Sequence, residues 1–179
     1  STAGIYVVGM LVDVVIADNI VFGPDTSLMM GAAPSQAANS SSSNTNPNAM
    51  LSNVKVINNT FKQAVTQAVY VSGSGEVEFV NNTLDGDPLF LSNSRNANGT
   101  FNSTGTDTTI AIRSNPGTNF PAPSLKLTNN TFKNVKSVFD GRASVWGTKT
   151  NSFYGEFVAK SSTLNKGIEN LPTNLEELG

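Results

Sequence analysis

Few residues in this chain could do covalent or metal chemistry. There is no Cys and no His. That excludes thiolate and imidazole metal sites, Cys nucleophiles, a disulfide framework and any triad that needs a His base. Carboxylates and arginines remain. Asp85 and Asp87 share one turn, Asp25 lies in an equivalent turn earlier, and Asp140 opens Asp140-Gly141-Arg142. A hard cation such as calcium takes several such oxygens, and a proton abstraction needs a base within reach. Asp is equally at home in turns for its own bonding to the backbone, so the metal reading and the turn reading both stand. A glycosidase needs two carboxylates facing one bond. Glu76 and Glu78 share a strand and no outward pair stands out, so no catalytic residue is named and no cofactor is expected.

Asparagine is the other recurrent type. Sequons begin at Asn39, Asn58, Asn81, Asn98, Asn102 and Asn129. Asn39, Asn98 and Asn102 lie in low-complexity stretches and are the better glycosylation acceptors. The other three belong to a repeated N-N-T whose asparagines have a structural use.

The elements that must position these residues come from that repeat. Residues 54–61 read V-K-V-I-N-N-T-F, residues 77–84 V-E-F-V-N-N-T-L, and residues 125–132 L-K-L-T-N-N-T-F. Weaker copies are V-V-I-A-D-N-I-V at 14–21 and W-G-T-K-T-N-S-F at 146–153. Aligned on Asn19, Asn59, Asn82, Asn130 and Asn151, the rows are spaced 40, 23, 48 and 21 residues apart. With a unit of 21–23, the long intervals exceed it by about 18 and about 26 residues, the lengths of two inserts near 31–50 and 92–123. Short strands repeating at this period are the mark of a solenoid.

The rows also set orientation. Positions five before, three before and two after the aligned Asn hold Val14, Ile16 and Val21; Val54, Val56 and Phe61; Val77, Phe79 and Leu84; Leu125, Leu127 and Phe132; Trp146, Thr148 and Phe153. All but Thr148 are apolar. With period two, they point inward. The position four before the Asn then points outward and holds Val15, Lys55, Glu78, Lys126 and Gly147. Parallel stacking puts Lys, Glu and Lys side by side, which is favourable by a few tenths of a kcal/mol per pair. The aligned asparagines fall at a corner, where stacked amides about 4.8 Å apart can bond one another.

On these V-x-V-x-N-N-T-F rows, residues 5–158 resemble the right-handed parallel β-helix superfamily, which includes pectate-lyase-like enzymes, tailspikes and bacterial surface passengers. The resemblance implies an all-β solenoid of about five coils over residues 1–160. It also implies an extracellular or cell-surface setting. In the lyase-like members outer-face acids bind calcium and a nearby Arg or Lys abstracts a proton, which is the role it would offer Asp25, Asp85, Asp87 and Asp140. It does not select a function, because one fold hosts many.

A second strand follows each row, and its middle residue is read as Tyr6, Met29, Tyr70, Phe90 and Phe139. With Val69 and Val71 inward, this row faces outward, between two inserts that both leave just after it. Tyr6, Tyr70, Phe90 and Phe139 are thus candidate platforms for sugar rings, or an interface with another subunit, or packing beneath the inserts. Residues 161–179 carry Leu164, Ile168, Leu171, Leu175 and Leu178 at helical spacing, with a capping box at Thr173 and Glu176. They are read as a short cap over the last strands, with a partner-binding helix as the alternative.

Partners follow from charge and from the chain's start. Only 13% of residues are charged, with Lys+Arg 11 against Asp+Glu 13, so there is no footprint for nucleic acid. The most apolar run, residues 5–22, contains Asp13, Asp18 and Asn19, which a membrane span would disfavour. No signal peptide is visible, and a start at Ser1 without Met is read as processing or excision. Ile5-Tyr6-Val7-Val8 lacks a first strand beside it, so the edge is open. It is expected to meet upstream coils or another subunit, which makes the chain a structural, adhesive or self-assembling module. The alternatives are a polysaccharide-binding or polysaccharide-degrading β-helix, and a pilus-like subunit with residues 4–16 as a donor strand.

Overall fold

The structure, a computed structural model, describes residues 3–31, 50–86, 110–114, 121–135, 137–141, 143–147 and 150–154. These form β1 (Ala3–Val8), β2 (Leu11–Ala17), β3 (Ile20–Phe22), β4 (Thr26–Gly31), β5 (Met50–Ile57), β6 (Thr60–Lys62), β7 (Gln67–Ser72), β8 (Ser74–Val80) and β9 (Thr83–Asp85). Then come β10 (Ile110–Ser114), β11 (Ser124–Thr128), β12 (Thr131–Lys133), β13 (Ser137–Gly141), β14 (Ser144–Gly147) and β15 (Ser152–Tyr154). The described chain is all-β. It builds three open five-stranded sheets: β1-β4-β7-β10-β13 (sheet A), β2-β5-β8-β11-β14 (sheet B) and β3-β6-β9-β12-β15 (sheet C). Every pairing is parallel. The chain therefore passes from A to B to C five times, and each strand pairs with the strand three places on. One passage is termed a round.

The repeated rows supply sheets B and C. Val14, Val54 and Val77 are in register, as are Ile16, Val56 and Phe79. Val21, Phe61, Leu84 and Phe132 follow in sheet C. Phe61, Phe79, Phe132 and Phe139 are among the largest fully buried side chains, each worth about 2–3 kcal/mol of transfer free energy. Val15, Lys55, Glu78 and Lys126 occupy one register position outside sheet B, so the alternating charge column forms as the pattern requires.

Two expectations are corrected. In the fifth row, Val145 rather than Trp146 is in register with Leu125. Val145 is the apolar residue that fills the core there, so the row runs one residue longer before Asn151. In sheet A, β10 holds the place expected for Leu89-Phe90-Leu91, and Tyr70 is in register with Arg113. Arg113 is in turn opposite Asp140. Phe139 lies one position earlier, opposite Ile112, and is fully buried. The second long connection accordingly separates β9 from β10 rather than leaving after a sheet A strand. Residues 4–16, read as an alternative donor strand, pair within the chain, β1 with β4 and β2 with β5. Phe90, Asp87, Asn39, Asn98, Asn102 and the cap read at 161–179 lie outside the described residues.

The corners explain the remaining residue choices. Asp18, Asn58, Asn81 and Asn129, each just before a ladder Asn, have φ of 59°, 56°, 56° and 55°. Asp and Asn tolerate this left-handed conformation better than other side chains. Glycine is needed where backbones meet: a Cβ on Gly75 would fall on the Leu51 carbonyl, and one on Gly31 on the Ser72 carbonyl.

Candidate functional site

The asparagine ladder is the most regular polar structure in the molecule. The backbone N–H of Asn19 donates to Oδ1 of Asn59 at 3.0 Å, that of Asn59 to Asn82 at 2.9 Å, and that of Asn82 to Asn130 at 3.0 Å. Asn130 N–H completes the series by donating to Asn151 at 2.9 Å. Each side-chain NH2 also donates to the next Oδ1 in this series. From Asn59 onward it donates as well to a carbonyl one round back, those of Ile16, Val56, Phe79 and Leu127 in turn. Asn59, Asn82, Asn130 and Asn151 are buried, which is affordable because their polar atoms are bonded.

The outer faces hold the other candidates. On sheet A, Tyr6, Met29, Tyr70, Arg113 and Asp140 form one column. Arg113 is 3.2 Å from Asp140 and donates to Gln67 Oε1 at 3.2 Å. Asp140 thus has a cation beside it rather than other carboxylates. Asp25 accepts from the Thr66 hydroxyl and Asp85 from the Asn134 amide. Among the described residues no three acids gather into a metal-sized group. On sheet C an open depression of about 480 Å³ is lined by Thr83, Thr131, Lys133 and Tyr154, with the Lys133 ammonium 5.8 Å from the centre of the Tyr154 ring. The Thr signal was visible in N-N-T, but Lys133 and Tyr154 become neighbours only through the pairing of β12 with β15.

The first round departs from this polar regularity. Tyr6, Val8, Met10, Val12, Val15, Ile20 and Phe22 are all exposed, Ile20 by 81% and Phe22 by 68%. Its inward residues Ile5, Val7, Val14 and Val21 are only partly buried. In the last round Val138, Phe139 and Val145 are as buried as any in the middle. Among the described residues no strand pairs with the outer edges of β1, β2 and β3. The column positions below are polar or charged: Lys55 under Val15, Thr60 under Ile20, and Lys62 under Phe22. Among the described residues, seven of the nine exposed large hydrophobics thus lie in the first round, Met50 and Tyr154 being the others.

An open edge of this kind can add strands, and an apolar rim can exclude water from the junction. No family model, curated protein or solved structure matches the chain. The functional reading consequently rests on the chain's own register and surfaces.

Proposed function

We propose that this chain is a non-catalytic, extracellular structural module with a right-handed parallel β-helix fold, and that its open first round is an assembly surface. The observation that carries the reading is the apolar rim from Tyr6 to Phe22 beside unpaired edges of β1, β2 and β3. The cyclic order of the sheets and the constant parallel register support the helical winding. Polysaccharide binding is a second reading, favoured by the sheet C depression. Its exposed Tyr154 ring, two hydroxyls and an ammonium suit a sugar.

The test is a double substitution, Val15→Glu with Phe22→Glu. Both positions are exposed, and in register each has a Lys neighbour, Lys55 and Lys62, so the fold should accept the new carboxylates. Light scattering after size exclusion should show concentration-dependent association of the wild type, weakened at least about tenfold in the double variant. The two should melt within a few degrees of each other. A wild type that neither self-associates nor takes up an added strand peptide, or that turns over any polysaccharide, sinks the assembly reading.

A further inference from the structure

We infer that the first round receives a strand–corner–strand polypeptide segment from outside these 179 residues, entering parallel, with a ladder asparagine opposite Asn19 and basic residues near Asp13 and Asp18. The inference rests on the assembly reading and names its partner.

The ladder has a direction. Every ladder Oδ1 accepts from the round before it: Asn59 from Asn19, Asn82 from Asn59, Asn130 from Asn82 and Asn151 from Asn130. Among the described residues no donor reaches Oδ1 of Asn19. The donor side is incomplete too. Asn59, Asn82, Asn130 and Asn151 each give a side-chain N–H to a carbonyl one round back. Asn19 turns instead to Ala17 in its own round, at 3.0 Å. The first round therefore lacks one amide donor and one carbonyl acceptor, at the spacing a preceding parallel corner would supply. A lipid surface or a docked helix has its backbone groups satisfied elsewhere and offers neither in this geometry.

Charge narrows the partner further. No Lys or Arg occurs before Lys55, and Asp13 and Asp18 are exposed in the first round. A second copy docking through the same end would set these carboxylates against their own kind. A second copy docking head to tail would use the outer edges of β13, β14 and β15, which are also unpaired among the described residues, and the experiment separates that case. An apolar strand pair with outward Lys or Arg meets no such repulsion at the first round.

Residues 50–63 of the chain itself have the required chemistry. They carry Asn59 at the ladder position, and in that register Lys55 falls opposite Val15, two residues from Asp13, and Lys62 opposite Phe22; in the fold they already pair in parallel with the other edges of β2 and β3. The experiment titrates a fluorescent peptide of residues 50–63 with the whole chain and follows anisotropy. Saturable one-to-one binding is expected. Replacing Asn59 by Leu in the peptide should weaken it about tenfold or more, and replacing both lysines by Glu should weaken it further, with a smaller salt dependence. These changes leave the protein untouched, so folding defects cannot mimic them. Equal binding by native, Asn59→Leu and scrambled peptides overturns the inference. So does self-association of the chain that excess peptide fails to displace, because the partner is then a second copy. In that case the assembly reading survives while the named partner does not.

Discussion

At the scale of the residue, the two asparagines of N-N-T do different work. The first takes the left-handed corner; the second bridges rounds. Asn82 shows the cost of losing the second. It accepts from Asn59, donates to Asn130 and gives an N–H to the Val56 carbonyl. Asn82→Ala would leave the Asn59 N–H buried without a partner and strip the Val56 carbonyl and Asn130 Oδ1 of their Asn82 side-chain donor, the first alone at about 1–3 kcal/mol. We expect a loss of roughly 3 kcal/mol in urea unfolding. Asn19→Ala, at the half-exposed end, should cost less than about 1 kcal/mol. At the first position, Asn81→Ala should cost about 1 kcal/mol and Asn81→Gly almost nothing, because only the former has to force a Cβ into φ of 56°. The ladder was legible in the sequence because it needs the same residue at the same place in every round. The left-handed role was legible only as a hint, in Asp18 standing where the other rows have Asn or Thr.

At the scale of the element, sheets B and C were readable and sheet A was not. Rows in B and C alternate apolar and polar residues with period two and end in a fixed Asn. Strands in sheet A instead carry two adjacent buried residues: Ser27 and Leu28, Ala68 and Val69, Ala111 and Ile112, Val138 and Phe139. Three of these pairs begin with a small residue, and that small-then-apolar pair was the signal for β10; Val138 and Phe139 lack it, so nothing local marked the true position of Phe139. A strict alternation hides such a pair and points to Phe90 in place of Arg113. Close approach of strands also produces a testable contrast among glycines. Gly75 has φ of 121° and its Cβ would land on the Leu51 carbonyl, whereas Gly9 has φ of 108° with nothing nearby. Gly75→Ala should therefore destabilise by roughly 3–4 kcal/mol, and Gly9→Ala by about 1 kcal/mol, read as midpoints in chemical denaturation.

At the scale of the whole molecule, each round touches only its neighbours, so stability should vary along the stack as in other quasi-one-dimensional proteins. The middle rounds have a bonded neighbour on both sides. The first and last have one among the described residues, and in the first the inward Ile5, Val7, Val14 and Val21 remain partly exposed. That weakness was foreshadowed in the sequence by Val15 standing where the next three rounds put Lys, Glu and Lys, and by the lack of any Lys or Arg before Lys55. What the sequence did not reveal is that Val138, Phe139 and Val145 of the last round are fully buried, because that depends on their packing. Native-state hydrogen exchange should separate the two ends. The ladder amides of Asn59, Asn82 and Asn130 should exchange slowest, near the global unfolding limit, and those of β1, β2 and β3 at least about a hundredfold faster. If strand addition at the first round is its role, peptide 50–63 should slow exchange in β1, β2 and β3 and leave the middle rounds unchanged. Uniform protection from β1 to β15 without any partner would mean that the first round is complete as it stands, and that its apolar rim serves something other than strand addition.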